Sequence, residues 1–261
     1  MKNRPLFAVM LVAGFVLYPS ARADFDFGVS AFLRSFPLSG TLGIEGGYNH
    51  LIWGRDPRTN ESPSPLYGFA RPSLFAATSG LYNSGGVQLE IFPVSFAGMR
   101  IGAWLEHSIG AYSGIDCTRH ECSGLSQRRY IEVPVGAAIG PVFAGLAFKL
   151  EGLAHQSSAA KPFIEPEFSL PARSTYDNIL SVRTVLGAGL GYGIRVFYLN
   201  AFARMDALRG YSTWNYLVGQ YSDGPWKMTF GAGVFSSSLR GAGISAIAGI
   251  KWTLKQGIGI I

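Results

Sequence analysis

A chain of 261 residues with 34 Gly, 18 Phe, 12 Tyr and only 15% charged residues carries too little charge to cover a water-facing surface of that size. The formal net charge of +6 falls to +3 once Lys2, Arg4 and Arg22 of the N-terminal stretch are set aside, which is too mild to point to nucleic acid. The length admits one large β domain or two small ones. No linker, charge block or low-complexity seam divides the chain, so one domain is expected.

Residues 1–23 read as a secretory signal peptide rather than as part of the fold. Lys2 and Arg4 open it, the apolar run Pro5 to Tyr18 follows, and Ala21-Arg22-Ala23 supplies a small-x-small cleavage site before Asp24. The run is too short to span a bilayer as a helix. No Cys follows the cut, which argues against a lipoprotein anchor. Residues 24–261 then form the folded domain, and none of its segments is a continuous apolar run of membrane-spanning helical length.

Apolar residues in the rest of the chain alternate with small or polar ones. Phe25 to Arg34 is a weak first strand. In Thr41 to Trp53, Leu42, Ile44 and Tyr48 oppose Glu45 and Asn49. Arg55 to Pro65 is a loop by its Pro, Asn and Ser content. Leu66 to Ser79 is a strand disturbed by Pro72, which suggests a bulge or a barrel rim. Val87, Leu89 and Ile91 alternate with Gln88, Glu90 and Phe92 until Pro93 stops the ladder. Met99, Ile101, Ala103 and Leu105 then alternate with Arg100, Gly102, Trp104 and Glu106.

After a polar loop with both cysteines, Gln127 to His155 repeats the period on both sides of Gly140-Pro141. Ile131, Val133, Val135, Val142, Ala144, Leu146, Phe148 and Leu150 share one face, the pattern of a β-hairpin. Gln156 to Asp177 is the longest non-periodic stretch. Beyond it, Leu180 to Leu190 and Phe197 to Asp206 form another pair. Phe197, Leu199, Ala201 and Ala203 are expected outward, with Tyr198, Asn200, Phe202, Arg204 and Asp206 inward. Thr213 to Tyr221, Trp226 to Val234 and Ala242 to Trp252 complete the set.

The fold class expected is all-β, a closed antiparallel transmembrane β-barrel, because lipid can cover the apolar face where a soluble sandwich would need a second sheet. An even strand count with the long loops on one side gives 12 strands, with 10 as the alternative. A secreted soluble sandwich is the competing architecture.

On these features the chain resembles a bacterial outer-membrane β-barrel protein. The signal peptide, the outward rows of Val, Leu, Ile and Ala, and the Tyr and Trp near strand ends carry the likeness across residues 24–261. The resemblance implies the bacterial outer membrane as location, with outer-membrane lipid and the barrel-assembly machinery as partners. Such proteins often finish on an aromatic residue in the last strand. The ending KWTLKQGIGII departs from that beyond Trp252, which leaves the closing strand's boundary open.

Inward positions carry a repeated signal. Glu45, Glu90, Glu106, Glu132, Glu151 and Asp206 are matched by Arg100, Lys149, Arg183, Arg204, Lys227 and Lys251. Charges in a narrow lumen are tolerable when paired, so this set is read as an ion-pair lattice or as the lining of a passage for small solutes. The inward glycines Gly187, Gly189, Gly191, Gly231 and Gly233 are expected to leave room for such a passage.

Cys117 and Cys122, in DCTRHECSG, are expected to form a disulfide closing an extracellular loop. Metal binding by Cys117, His120 and Cys122 is the alternative, although the spacing fits no strong zinc pattern. Glu106 and His107 are adjacent on a strand and cannot form a dyad. His155 with Ser157 and Ser158 is the remaining candidate for lipid or peptide hydrolysis, and no GxSxG, HExxH or phosphate loop is present. The expectation is a non-enzymatic narrow pore or structural envelope protein without cofactor or metal. A barrel enzyme hydrolysing lipid or peptide is the alternative.

Overall fold

The computed structural model describes residues 23–54, 66–110, 115–156, 161–173 and 175–255. Most of the expected signal peptide, the Arg55 to Pro65 loop, Ser157 and Ser158, and the tail after Lys255 lie outside them. The strands are β1 (Ala23–Ser35), β2 (Leu38–Gly54), β3 (Tyr67–Thr78), β4 (Tyr82–Val94), β5 (Ala97–Ile109), β6 (Ser123–Ile139) and β7 (Val142–Gln156). They continue as β8 (Phe163–Glu165), β9 (Leu170–Ala172), β10 (Tyr176–Gly191), β11 (Ile194–Met205), β12 (Tyr211–Asp223), β13 (Trp226–Ser237) and β14 (Gly241–Lys255).

All but β8 and β9 form one closed antiparallel barrel, with the 12 strands expected from the parity argument rather than the alternative 10. Closure is made by β1, which pairs with β2 on one side and β14 on the other, Gly28 opposite Thr253 through Arg34 opposite Ile247. The weak first strand is therefore real: Phe25 and Val29 point out while Asp26 points in.

Both ends of the described chain lie at one end of the barrel, the turn end, with the tight connections at Gly140-Pro141, Tyr192-Gly193 and Gly224-Pro225. At Tyr192-Gly193 both φ angles are positive, 51° and 75°, which gives the right-handed twist that a two-residue hairpin needs. The opposite end, the loop end, carries the cysteine loop and the connection between β7 and β10. On β3, Pro72 cannot donate to the ladder. Pairing with β2 is accordingly interrupted between Gly47–Ser73 and His50–Ala70.

Among the described residues, no protein layer covers the outer face. Ile244 is 86% exposed and Ile139 84%, and together with the other outward Leu, Val and Ile side chains they would aggregate in water. Exposed aromatic residues ring this band: Tyr192, Tyr221, Trp226 and Trp53 at the turn end, Tyr176 and Tyr211 at the loop end. Tyr211 and Tyr221 lie ten positions apart on β12. At a rise of ~3.3 Å and a tilt of ~40° that is about 25 Å, the height of the apolar band of an outer-membrane barrel. The architecture is that of a bacterial outer-membrane β-barrel.

One strand departs from the expected facing. On β11 the small apolar row Ala201, Ala203 and Met205 is buried inside the barrel, while Tyr198 and Arg204 point out. Arg204 is thus not a lumen residue, and Asp206 lies past the end of β11, on the loop-end rim. The reason is the β8–β9 hairpin. It folds into the lumen against this wall, so that Phe163, Phe168 and Leu170 pack with Leu153, Ile179, Ala203 and Met205. An apolar inner surface is what that hairpin needs, and it inverts the usual polar-inside pattern locally.

Candidate functional site

A barrel of 12 strands spaced ~4.8 Å and tilted ~40° has a backbone diameter of roughly 24 Å. Side chains reduce the gap to roughly 14 Å, and a two-stranded hairpin about 10 Å across would occupy most of it. The β8–β9 hairpin does this at the loop end. Below it remains a lumenal cavity of about 610 Å³, lined among others by Glu45, Glu90, Arg100, Glu132, Glu167 and Arg183.

Two ion-pair groups line the wall from β1 to β7. In the first, Arg71 reaches Asp26 at 2.6 Å, Glu45 at 2.7 Å and Glu90 at 3.3 Å. Arg100 continues the chain, with Nε 2.7 Å from Glu90 and Nη1 2.8 Å from Glu132. Asn49 also donates to Asp26. This approach is possible because Gly47 lies directly under the Arg71 guanidinium and a side chain there would collide with it.

The second group centres on Arg128, fully buried, with Glu151 at 2.9 Å, Glu165 at 2.9 Å and Glu106 at 3.2 Å. Lys149 adds a 2.5 Å contact to Glu151 and lies over the rings of Trp104 and Tyr130. Glu165 belongs to the hairpin, so Arg128 ties the barrel wall to its own plug.

Of the charges named in the sequence, Glu45, Glu90, Arg100, Glu106, Glu132, Lys149 and Glu151 are brought into these groups. Arg183 meets Glu167 of the plug at 3.7 Å, and Lys251 meets Glu45 at 3.8 Å. Lys227 lies opposite Lys251 on the neighbouring strand and, among the described residues, has no carboxylate within ion-pair distance. Sequence reasoning missed Asp26, Arg71, Arg128, Glu165 and Glu167. Arg128 had a signal, since it shares parity with Tyr130 and Glu132. Glu165 and Glu167 had none, because the segment that carries them has no period.

The inward glycines do not simply open the lumen. Gly102 makes room for the Tyr130 ring and Gly187 for the edge of the Phe143 ring, while at Gly86 and Gly187 the neighbouring strand itself, at Ala103-Trp104 and Val196-Phe197, comes too close for a side chain. At the turn end Phe69 and Phe92 stack with centroids 4.8 Å apart.

Cys117 and Cys122 form the disulfide, which removes both from metal binding. Residue Glu121 beside it pairs with the plug: its N–H donates to Pro162 O at 2.8 Å, and Ile164 N–H donates to its carbonyl at 3.2 Å. The disulfide-closed loop therefore anchors the hairpin. His155 meets Ser126 across the β6–β7 ladder, with Ser126 Oγ 2.8 Å from Nδ1. Its ring stacks on Phe163 at 4.3 Å, and its buried Nε2 meets no group in hydrogen-bond geometry among the described residues. A hydrolytic base needs an orienting group and room for substrate. This ring is roofed by the plug.

Glu165 lies on the connection between β7 and β10, outside the spanning strands. Burial pushes its carboxyl up to about 7, with Arg128 pulling the other way. Glu167 is also raised by burial, but Lys149, Arg183 and Arg128 hold it below the usual carboxylate range. Because the docked hairpin raises the proton affinity of Glu165, docking is strengthened as pH falls from about 7 toward the ordinary glutamate range and weakened as pH rises through about 7. A buried probe, Ser169→Cys, should therefore react faster with maleimide above pH 7, relative to a free thiol. Glu165→Gln should remove that inflection. A flat profile in the parent would show that the hairpin does not respond to this proton.

No family model matches the sequence, and no curated protein does. Several solved structures are similar in shape. The NanC porin shares 12% identity at a TM-score of 0.46, covering 87% of this chain and 98% of that one. LpxR from Salmonella typhimurium shares 8% identity at 0.45, covering 87% and 99%. The KdgM porin in complex with disordered oligogalacturonate shares 9% at 0.43, covering 87% and 98%.

Proposed function

We propose that this chain is a non-enzymatic outer-membrane pore for small anionic solutes, narrowed from outside by the β8–β9 hairpin. The turn end would face the periplasm, and the end with the cysteine loop would face the medium. The observation that carries the reading is which lumen charges remain uncompensated. Asp26, Glu45, Glu90, Glu106, Glu132, Glu151, Glu165 and Glu167 each lie within 4.0 Å of a guanidinium or ammonium group. Toward the turn end the balance is opposite. Lys227 and Arg195 have no carboxylate partner among the described residues, and Lys251 has only Glu45 at 3.8 Å.

Like charges placed directly opposite on neighbouring strands are destabilising. The placing of Lys227 opposite Lys251 is therefore not accounted for by cross-strand stabilisation. What the pair contributes is a positive field in a water-filled passage, which raises the local concentration of anions.

Refolded protein in planar bilayers should give steady conductance steps. Under a KCl gradient the reversal potential should lie toward that of chloride, and Lys227→Glu with Lys251→Glu should move it toward potassium. Absence of steps would overturn the pore. Lipid hydrolysis abolished by His155→Ala would replace it with the enzyme. Steps with cation preference would overturn the solute class alone.

A further inference from the structure

The outer wall carries a second concavity, separate from the lumen. A groove of about 480 Å³ opens outward over β6, β7 and β10, bounded by Gln127, Arg129, Gly152, Tyr176 and Asn178. The register explains its shape. Arg129 is opposite Gly152, which is opposite Asn178, and Gln127 is opposite Ala154, which is opposite Tyr176. The middle strand thus offers a glycine and an alanine as floor, while longer polar side chains rise on both sides. A Cβ at Gly152 would stand 2.9 Å from the Tyr176 hydroxyl, which itself donates to Asn178 Oδ1 at 2.8 Å.

This is an unusual set of groups for a lipid-facing wall. An outward Arg costs about 2–4 kcal/mol at the bilayer midplane and about 0–1 near the interface. Among the described side chains, the spanning strands turn Arg129 and Arg204 outward, and both are on this flank. Arg204 faces out on β11 beside Leu180, one strand beyond the groove. Neither guanidinium has a hydrogen bond or ion pair among the described residues. Asp206, on the rim above, is within ion-pair distance of neither. Tyr176 is the first residue of β10 and belongs to the loop-end aromatic ring, so the groove begins at that ring and reaches two residues inward to Asn178, at headgroup depth in the outer leaflet.

We infer that this groove binds the headgroup of a phosphorylated glycolipid of the outer leaflet. Arg129, with Arg204 flanking, would take phosphate oxygens through charge-assisted hydrogen bonds. Gln127 and Asn178 offer amide donors and acceptors for sugar hydroxyls, and the Tyr176 ring gives the sugar an apolar face. The apolar rows below, Ile131, Leu150 and Leu180, receive the acyl chains. This inference rests on the outer-membrane placement and its orientation, but not on the lumen conducting.

The test uses the refolded full barrel in detergent, with diphosphorylated lipid A, its dephosphorylated form and phosphatidylglycerol as probes. Native mass spectrometry should show lipid A retained by the parent. The double variant Arg129→Ala/Arg204→Ala should retain it about tenfold less well, while Arg129→Lys keeps part of the retention. The dephosphorylated form should be retained weakly by both. Equal retention by parent and double variant would overturn the site. Equal retention of phosphatidylglycerol would overturn the glycolipid assignment in favour of phospholipid. Heat-modifiable gel mobility and insertion into vesicles report separately on the membrane barrel, so a failure there is distinguishable from a failure of the site.

Discussion

Replacing Arg128 with methionine should destabilise the folded barrel by about 3–5 kcal/mol, the range for removing one partner of a buried ion pair. The guanidinium is the shared ion-pair partner of Glu106, Glu151 and Glu165 at 2.9–3.2 Å, and all three carboxyl groups are buried. Without it they either stay charged in a poorly solvated lumen or take up protons. The loss should therefore be larger at high pH than at low pH. Lysine at this position should recover only part of the stability, because one ammonium cannot fork between carboxylates on different elements as a planar guanidinium does. Urea unfolding in lipid vesicles, followed by tryptophan fluorescence, measures the difference. In the Arg128→Met background, Glu106→Gln and Glu165→Gln should restore much of it, which a simple packing defect would not allow. A loss below about 1 kcal/mol would mean that water, rather than Arg128, screens these carboxylates.

What the sequence revealed of this molecule follows from which solvent each surface meets. The outward rows face one uniform medium, so their period of two survives along each strand, and the strand count followed from parity once the loops were sided. Even β1 was recoverable, although Asp26 sits between Phe25 and Phe27. The lumen has no uniform medium. On β2, β4, β5, β6 and β7 it is polar, and Glu45, Glu90, Arg100, Glu132 and Lys149 fell where alternation put them. On β11 the neighbour is the plug, so apolar residues face inward and the assignment of Arg204 inverted. The plug could not be seen at all, since a segment stabilised by what it inserts into has no period of its own. Glu165 and Glu167 went unseen for the same reason, and His155 was matched with nearby serines in sequence rather than with Ser126 across the ladder.

Excising the plug should have the largest effect on transport. Replacing residues 162–173 with a short Gly-Ser turn should leave the barrel closed, because β7 and β10 pair directly from Ala154–Tyr176 to Val142–Ala188 without help from the hairpin. The variant would lose the burial of Phe163, Phe168 and Leu170, each contributing about 1.5–3 kcal/mol, together with the Glu165 contact to Arg128. A lower unfolding midpoint is therefore expected alongside an intact fold. Conductance should rise severalfold, since the hairpin occupies most of the cross-section at the loop end while a cavity of about 610 Å³ remains below it. Anion preference should persist, because Arg195, Lys227 and Lys251 lie toward the other end. Unchanged conductance in a folded variant would move the constriction to the turn-end aromatic residues, Phe69 with Phe92 and Phe143 with Phe197. Replacing those pairs with alanine would then be expected to release it.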